Sequence, residues 1–314
     1  MNSRHILGLH HLTATVDDAQ EDLDFYIALL GLRLVKKTVN FDNHRVYHFY
    51  YGNRLGEPGT IMTTFPYKGE GVRIGTPGSG QVDITSFSVP APSIGWWRTR
   101  LRDAGVEVKE SDSFGKAVLA FRDPSGLNLQ LVGDEGDTRE PWTGSGVPAE
   151  AAIRGLHSVT LSLGDIAADQ TFLTEELGFA EYGSEGPVTR YAIQGGGPGQ
   201  YLDLRDDRGL PAGLNGIGTV HHVAFRVADM AALLEIRTRV AELGLKPTEV
   251  KDRNYFKSIY FRIPGKVLFE VATIPPGFTA DESEATLGQA LKLPEWEEPN
   301  RALIESVLPA IHIS

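Results

Sequence analysis

The 314-residue chain contains no cysteine. Disulfides, thiolate nucleophiles, thiolate-type structural zinc and iron–sulfur clusters are therefore excluded, and any metal must be held by histidine nitrogen and carboxylate oxygen. Positive charge is also scarce: 30 Lys and Arg stand against 41 Asp and Glu, for a net charge of −11. The basic residues are scattered, Lys36-Lys37 being the nearest approach to a run, so the basic stripe that a nucleic-acid partner needs is missing. No apolar stretch is long enough for a membrane span, and Met1 to Val16 lacks the apolar core of a signal peptide. The expected location is the cytoplasm, with neither nucleic acid nor membrane among the partners. What remains is ordinary for a globular chain, 41% hydrophobic and 23% charged, at a length that suits two domains.

The chain repeats itself four times. Leu9–Val16, Val82–Val89, Leu156–Leu163 and Val220–Val227 are short alternating strands, each followed by an amphipathic stretch that ends on a glycine. Those glycines, Gly31, Gly105, Gly178 and Gly244, follow His11, Ile84, Ser158 and His222 by 20, 21, 20 and 22 positions, and a glycine there supplies the left-handed residue that closes a helix. Further strand-like runs come next, such as Val46–Tyr51 and Ile259–Arg262. The pattern predicts an α+β fold of four strand–helix–strand–strand–strand units starting near residues 7, 80, 154 and 219. One such unit leaves a sheet face bare, so units are expected to pair into half-open barrels. Residues 5–133 then form a first half and 151–278 a second. A Gly-, Pro- and acid-rich linker, 134–150, joins them, and 279–314 is a tail to which no chemistry is assigned.

Five of the nine histidines lie in the repeated first strands: His10, His11, His157, His221 and His222. Side chains alternate between the faces of a strand. His10 shares a face with Leu12, Ala14 and Val16, and His221 with Val223, Phe225 and Val227, which predicts that both look toward the helices. His11 and His222 fall on the polar, concave face. Where they stand, the second and third units have Ile84 and Ser158, so one shared ion requires unit one to pair with unit four and unit two with unit three. Glu270 supplies the carboxylate. It interrupts an apolar last strand, where a lone charge is costly, and the matching strand of unit two carries the neutral Gln130 instead. The bland readings are a hydrogen-bonded core histidine and an edge-strand glutamate, but the coincidence of face and repeat favours a metal site. His5, His44, His48 and His312 have no partner in spacing and are read as structural.

Two histidines and one carboxylate form the facial triad of non-haem Fe(II) oxygenases and leave coordination positions open for substrate and O₂; Zn²⁺-type hydrolysis or isomerisation is not excluded by the ligands alone. Paired units with ligands on first and last strands resemble the vicinal oxygen chelate superfamily, which includes glyoxalases, extradiol dioxygenases and bleomycin-resistance binding proteins. Within it, Gly8–Thr13, Gly59–Pro66, Gly218–Phe225 and Asp252–Arg262 resemble the ring-cleaving dioxygenases that act on hydroquinones, over about residues 5 to 280. The resemblance implies Fe(II), with Mn(II) tolerated by the same ligands, bound by His11, His222 and Glu270. It also implies a small aromatic substrate opened by O₂, and places Tyr260, Arg253 and His221 as catalytic groups and His10 and Thr13 as substrate-binding ones. The alternation of faces instead makes His10 and His221 supports of the ligands. A homo-oligomer is compatible with all of this. The alternatives are a glyoxalase-like lyase or isomerase, which needs a second carboxylate at the ion where unit one offers Met62 and Thr64, and a non-catalytic small-molecule binder of the same fold.

Overall fold

The computed structural model describes residues 5–313. Unit one consists of β1 (Leu9–Val16), β2 (Arg33–Asn40), β3 (Asn43–Gly52) and β4 (Ile61–Pro66). Unit two has β5 (Gln81–Val89), β6 (Lys109–Ser113), β7 (Lys116–Arg122) and β8 (Asn128–Gly133). Unit three has β9 (Gly155–Leu163), β10 (Ala180–Glu185), β11 (Val188–Ala192) and β12 (Tyr201–Asp206). Unit four has β13 (Thr219–Val227), β14 (Lys251–Asp252), β15 (Lys257–Arg262) and β16 (Leu268–Thr273).

A helix follows the first strand of every unit. In units one and three it is a short α-helical turn, α1 (Ala19–Leu23) and α3 (Ala167–Thr171), that widens into π-helix over Asp24–Leu29 and Phe172–Glu176. In units two and four, α2 (Ile94–Asp103) and α4 (Met230–Glu242) are regular. Asp18 and Asp229 cap α1 and α4 by accepting backbone amides that would otherwise lack partners. The four terminating glycines all adopt φ between 73° and 78°, the left-handed conformation that side chains beyond glycine resist.

Two eight-stranded sheets result. One runs β14–β15–β16–β13–β1–β4–β3–β2 and the other β10–β11–β12–β9–β5–β8–β7–β6. Unit one therefore pairs with unit four and unit two with unit three, so the first half-open barrel takes strands from both ends of the sequence and the second from its middle. The seams are the antiparallel pairs β1–β13 and β5–β9. Within every unit the last strand lies parallel to the first. The helix-facing sides of the sheets form the core. Phe269 there touches Phe225 and Phe261 with ring centroids 4.9 and 6.1 Å apart, each ring contributing roughly 1.5–3 kcal/mol by leaving water.

Both seams are bulged. Pairing steps over His10 and His221 on β1–β13, and over Asp83 and His157 on β5–β9. A bulge sets two residues of one strand against one of its neighbour and suspends the alternation of faces. Beyond β16 the chain returns over the outside of the first half-barrel. Leu291 bridges Lys37, and α5 (Arg301–Val307) buries Ile304 against Val39 and Leu293. Among the described residues no helix is long and apolar enough to cross a membrane.

Candidate metal centre

His11 comes from β1, His222 from β13 and Glu270 from β16, and the seam brings all three together. His11 Nε2 lies 3.3 Å from His222 Nε2, and Glu270 Oε2 lies 2.7 Å from the second and 3.2 Å from the first. Adjacent ligands of an octahedral ion at about 2.1 Å are about 3.0 Å apart, so the three donor atoms already hold the spacing an ion requires. All three residues are buried, Glu270 at 0% exposure. Apart from those two imidazole nitrogens, no polar group among the described residues partners its carboxylate oxygens, and a buried carboxylate so placed is suited to a cation. Burial alone would push the Glu270 carboxyl up, but His11 and His222 hold it well below the usual range. The residues fit a divalent ion, and they are the one such cluster of three among the described residues.

Behind each ligand stands the preceding histidine. His10 Nδ1 is 2.8 Å from His11 Nδ1, and His221 Nδ1 is 2.8 Å from His222 Nδ1. With Nε2 turned to the ion, each ligand's Nδ1–H donates to its neighbour, which fixes tautomer and ring orientation. The bulges make this possible, because they turn consecutive histidines toward the same side. The expectation that His10 and His221 both look toward the helices is therefore corrected. His10 is buried behind His11, against Phe256 at 4.9 Å, whereas His221 lies at the cavity wall with one edge of its ring open to solvent and Nδ1 packed inward against His222. Burial first, and then His222, push the His221 imidazole down to about 4, so it is a neutral acceptor at pH 7.

The centre opens into a cavity of about 220 Å³, walled by side chains that include Thr13, His48, Phe65, Arg253 and Tyr260. Tyr260 pairs with Glu270 across β15–β16, and its ring meets that of His222 edge-on at 5.5 Å. Its phenol, driven well above the ordinary range by burial and by Glu270, keeps its proton. Arg253 Nε donates to the Tyr260 hydroxyl at 3.0 Å. Thr13 accepts from Thr63 at 2.8 Å. Of the residues expected at the site, Tyr260, Arg253, His221 and Thr13 line the cavity, and His10 does not. A larger groove of about 910 Å³, between residues 21–29 and the β7–β8 hairpin, includes none of these residues.

The glyoxalase/bleomycin resistance protein/dioxygenase superfamily matches residues 8–131. Over 307 residues the chain is 44% identical to MhqE of Bacillus subtilis, provisionally named a ring-cleaving dioxygenase, covering 97% of this chain and 99% of that protein. It is 39% identical over 308 residues to the chlorohydroquinone/hydroquinone 1,2-dioxygenase of Sphingobium indicum, covering 96% and 95%. The chain belongs to this superfamily. A crystal structure of a provisionally named dioxygenase from Bacillus subtilis superposes with a TM-score of 0.94 at 41% identity over 99% of both chains. Glyoxalase I of Zea mays shares the superfamily fold, with a TM-score of 0.63 at 17% identity over 85% of this chain and 92% of that one.

Sheet register also corrects one superfamily position. β1 pairs with β4 so that Thr13 faces Thr63 as Ala224 faces Glu270 in unit four. Thr63, rather than Met62 or Thr64, is thus the counterpart of Glu270, and unit one offers a hydroxyl there. His48, read from sequence as structural, lies in the cavity wall between Tyr50 and Phe65, ring centroids 4.1 Å from each, with Nε2 3.0 Å from Thr63 Oγ1. Burial first, then His11 and Arg253, keep its imidazole neutral at pH 7.

Proposed function

We propose that the protein is a dioxygenase that opens the ring of a hydroquinone-type aromatic with O₂, using Fe(II) held by His11, His222 and Glu270. The observation that carries this reading is the convergence of three buried donor atoms on a small cavity whose wall also presents a neutral phenol and a guanidinium. The relatives named for ring cleavage support it. A bound ferrous ion would supply redox chemistry and open positions for two oxygen ligands. Everything else is work for side chains. At about 220 Å³, the cavity is smaller than the roughly 300–1,000 Å³ of sites for drug-sized ligands, which suits a single ring. Phe65 and Phe256 offer it apolar contact, and Tyr260 donates its O–H to a ring oxygen while Arg253 holds that oxygen's developing charge. His10 and His221 keep the ligands in the right tautomer. Both atoms of O₂ enter the product and the cleaved carbon–carbon bond supplies the electrons, so no external reductant is needed. The bond opened lies beside a ring hydroxyl, in the extradiol manner.

Anaerobic loading with Fe(II), followed by O₂ uptake with methyl- or chlorohydroquinone, tests the proposal. Stoichiometric uptake with a ring-opened product is expected. No uptake with any hydroquinone or catechol would overturn it. Thr63 at the fourth position argues against a glyoxalase-like reaction, which calls for a second carboxylate at the ion.

A further inference from the structure

We propose that the C-terminal segment holds one wall of the site in place, with Lys36, Asp281 and Tyr255 forming a positioning triad for the loop that carries Arg253 and Phe256. This rests on the reading of the cavity given above.

Lys36 lies on β2 and is fully buried. Its ammonium donates to Asp281 Oδ1 at 2.5 Å and to Glu282, both from the segment beyond β16, and it sits 4.8 Å from the centre of the Tyr255 ring. A buried ion pair roughly breaks even in stability against an apolar replacement, so its contribution is better sought in geometry. Here that geometry is specific. The second oxygen of Asp281 accepts the Tyr255 hydroxyl at 3.0 Å, so one carboxylate joins a strand lysine to a tyrosine of the site loop. Phe278 completes the seat, with ring centroids 5.0 Å from Tyr255 and 5.1 Å from Tyr50, and Gly277 donates its amide to the Tyr255 carbonyl at 2.9 Å.

Tyr255 stands between the two residues that matter. Arg253 reaches Tyr260, and Phe256 packs its ring 5.3 Å from that of His11. The loop is too tight to move in pieces. Tyr255 N–H donates to Arg253 at 2.8 Å, Arg253 N–H donates to Phe256 at 3.0 Å, and Asn254 between them has φ 65°. Moving Tyr255 moves both wall residues together. The triad residues touch neither the donor atoms of the centre nor the cavity, so they position rather than react.

Tyr255→Phe removes one hydroxyl and keeps the ring. In the metal-loaded full-length protein it should speed amide exchange in residues 251–257 by about tenfold, the size of one buried hydrogen bond to a carboxylate. Metal content and exchange in β5–β12 should not change. Lys36→Met should loosen 277–284 as well. If Lys36→Met fails to fold, Tyr255→Phe alone decides. The expected kinetic signature is a raised KM for hydroquinone in Y255F, and a smaller rise when Y255F is added to R253A, where only the Phe256 share remains. Unchanged exchange at 251–257, or an equal loss in the R253A background, would overturn the proposal. A parent enzyme that consumes no hydroquinone would sink the proposed reaction, while the exchange measurement would still test the coupling of segment to loop.

Discussion

The two half-barrels share a frame and differ in what they do with a buried carboxylate. In the first, the first-strand positions hold His11 and His222, and the last-strand positions Thr63 and Glu270. In the second, the same positions hold Ile84 and Ser158, and Gln130 and Asp203. The acid has moved to the other unit and met a different cation: Asp203 takes two 2.8 Å bonds from Arg190, which occupies the place of Tyr260. A carboxylate answered by a guanidinium on the neighbouring strand is closed chemically. One left facing two imidazoles is open to an ion. At these five matched positions the same backbone seals one carboxylate and leaves the other able to face an ion.

Glu270→Gln gives the first half-barrel the residue that the second carries as Gln130, and it should have the largest effect. Metal affinity is expected to fall by more than the ~10–100-fold that outer partners cost, with ring cleavage abolished. The thermal midpoint of the metal-loaded protein should fall, because an ion that binds only the folded state is lost. Metal analysis after dialysis and a melting curve check both halves of this statement. A variant that keeps its ion would mean that Glu270 is no ligand.

Arg190→Met probes the other side of the comparison. Leaving Asp203 buried without its partner should cost ~3–5 kcal/mol, read from urea denaturation, with metal content unchanged. Adding Asp203→Leu should recover most of that loss. Equal stability of the single variant and the parent would show that Asp203 does not depend on Arg190.

Much of this plan is legible in the sequence. Comparing the four units separates His11 and His222 from their neighbours, sets Glu270 against Gln130, and requires the cross-pairing that the sheets display. What alternation misreads is the bulge: one extra residue in a seam leaves no trace in composition, yet it turns His221 to the cavity. Register between distant strands is equally hidden. Thr63 follows His11 by 52 residues, whereas Glu270 follows His222 by 48, so counting from one unit to the other lands on the wrong residue. His48 has no partner within reach along the chain and enters the site only because β3 pairs with β4. The tail's anchor is longer still, joining Lys36 to Asp281 and Glu282 across the whole chain.

The bulged histidines allow a matched pair of substitutions of intermediate size. His221 supports a ligand, while His157, its counterpart in the second half-barrel, lies 3.1 Å from Ser158 Oγ and 3.4 Å from Asp134. His221→Ala should weaken metal binding by ~10–100-fold, measured by competition with a chelator. His157→Ala should leave it unchanged and lower stability instead. Equal losses of affinity would indicate a general loosening of both seams.

The smallest expected effect compares two helix carboxyls, each eleven residues beyond a first-strand position. Asp22 follows His11, and Asp169 follows Ser158. Burial pushes Asp22 up to about 7 against the donors Thr64 and Tyr51, and pushes Asp169 up to about 6 against the Gly265 amide. In the unfolded chain both titrate near 3.9. Between that value and the folded one, unfolding releases a proton, so stability is fullest below about pH 4 and falls as pH rises through the folded value. Asp169 should finish its share near pH 6 and Asp22 near pH 7. Asp22→Asn should therefore flatten the decline of the thermal midpoint between pH 6 and 7, by roughly 2–4 °C for each kcal/mol involved. Asp169→Asn should flatten it only below about pH 6. The slope is the readout rather than the offset, because each amide also changes the local hydrogen bonds at every pH. A parallel pair of curves would assign the two carboxyls the same environment and remove this last distinction between the half-barrels.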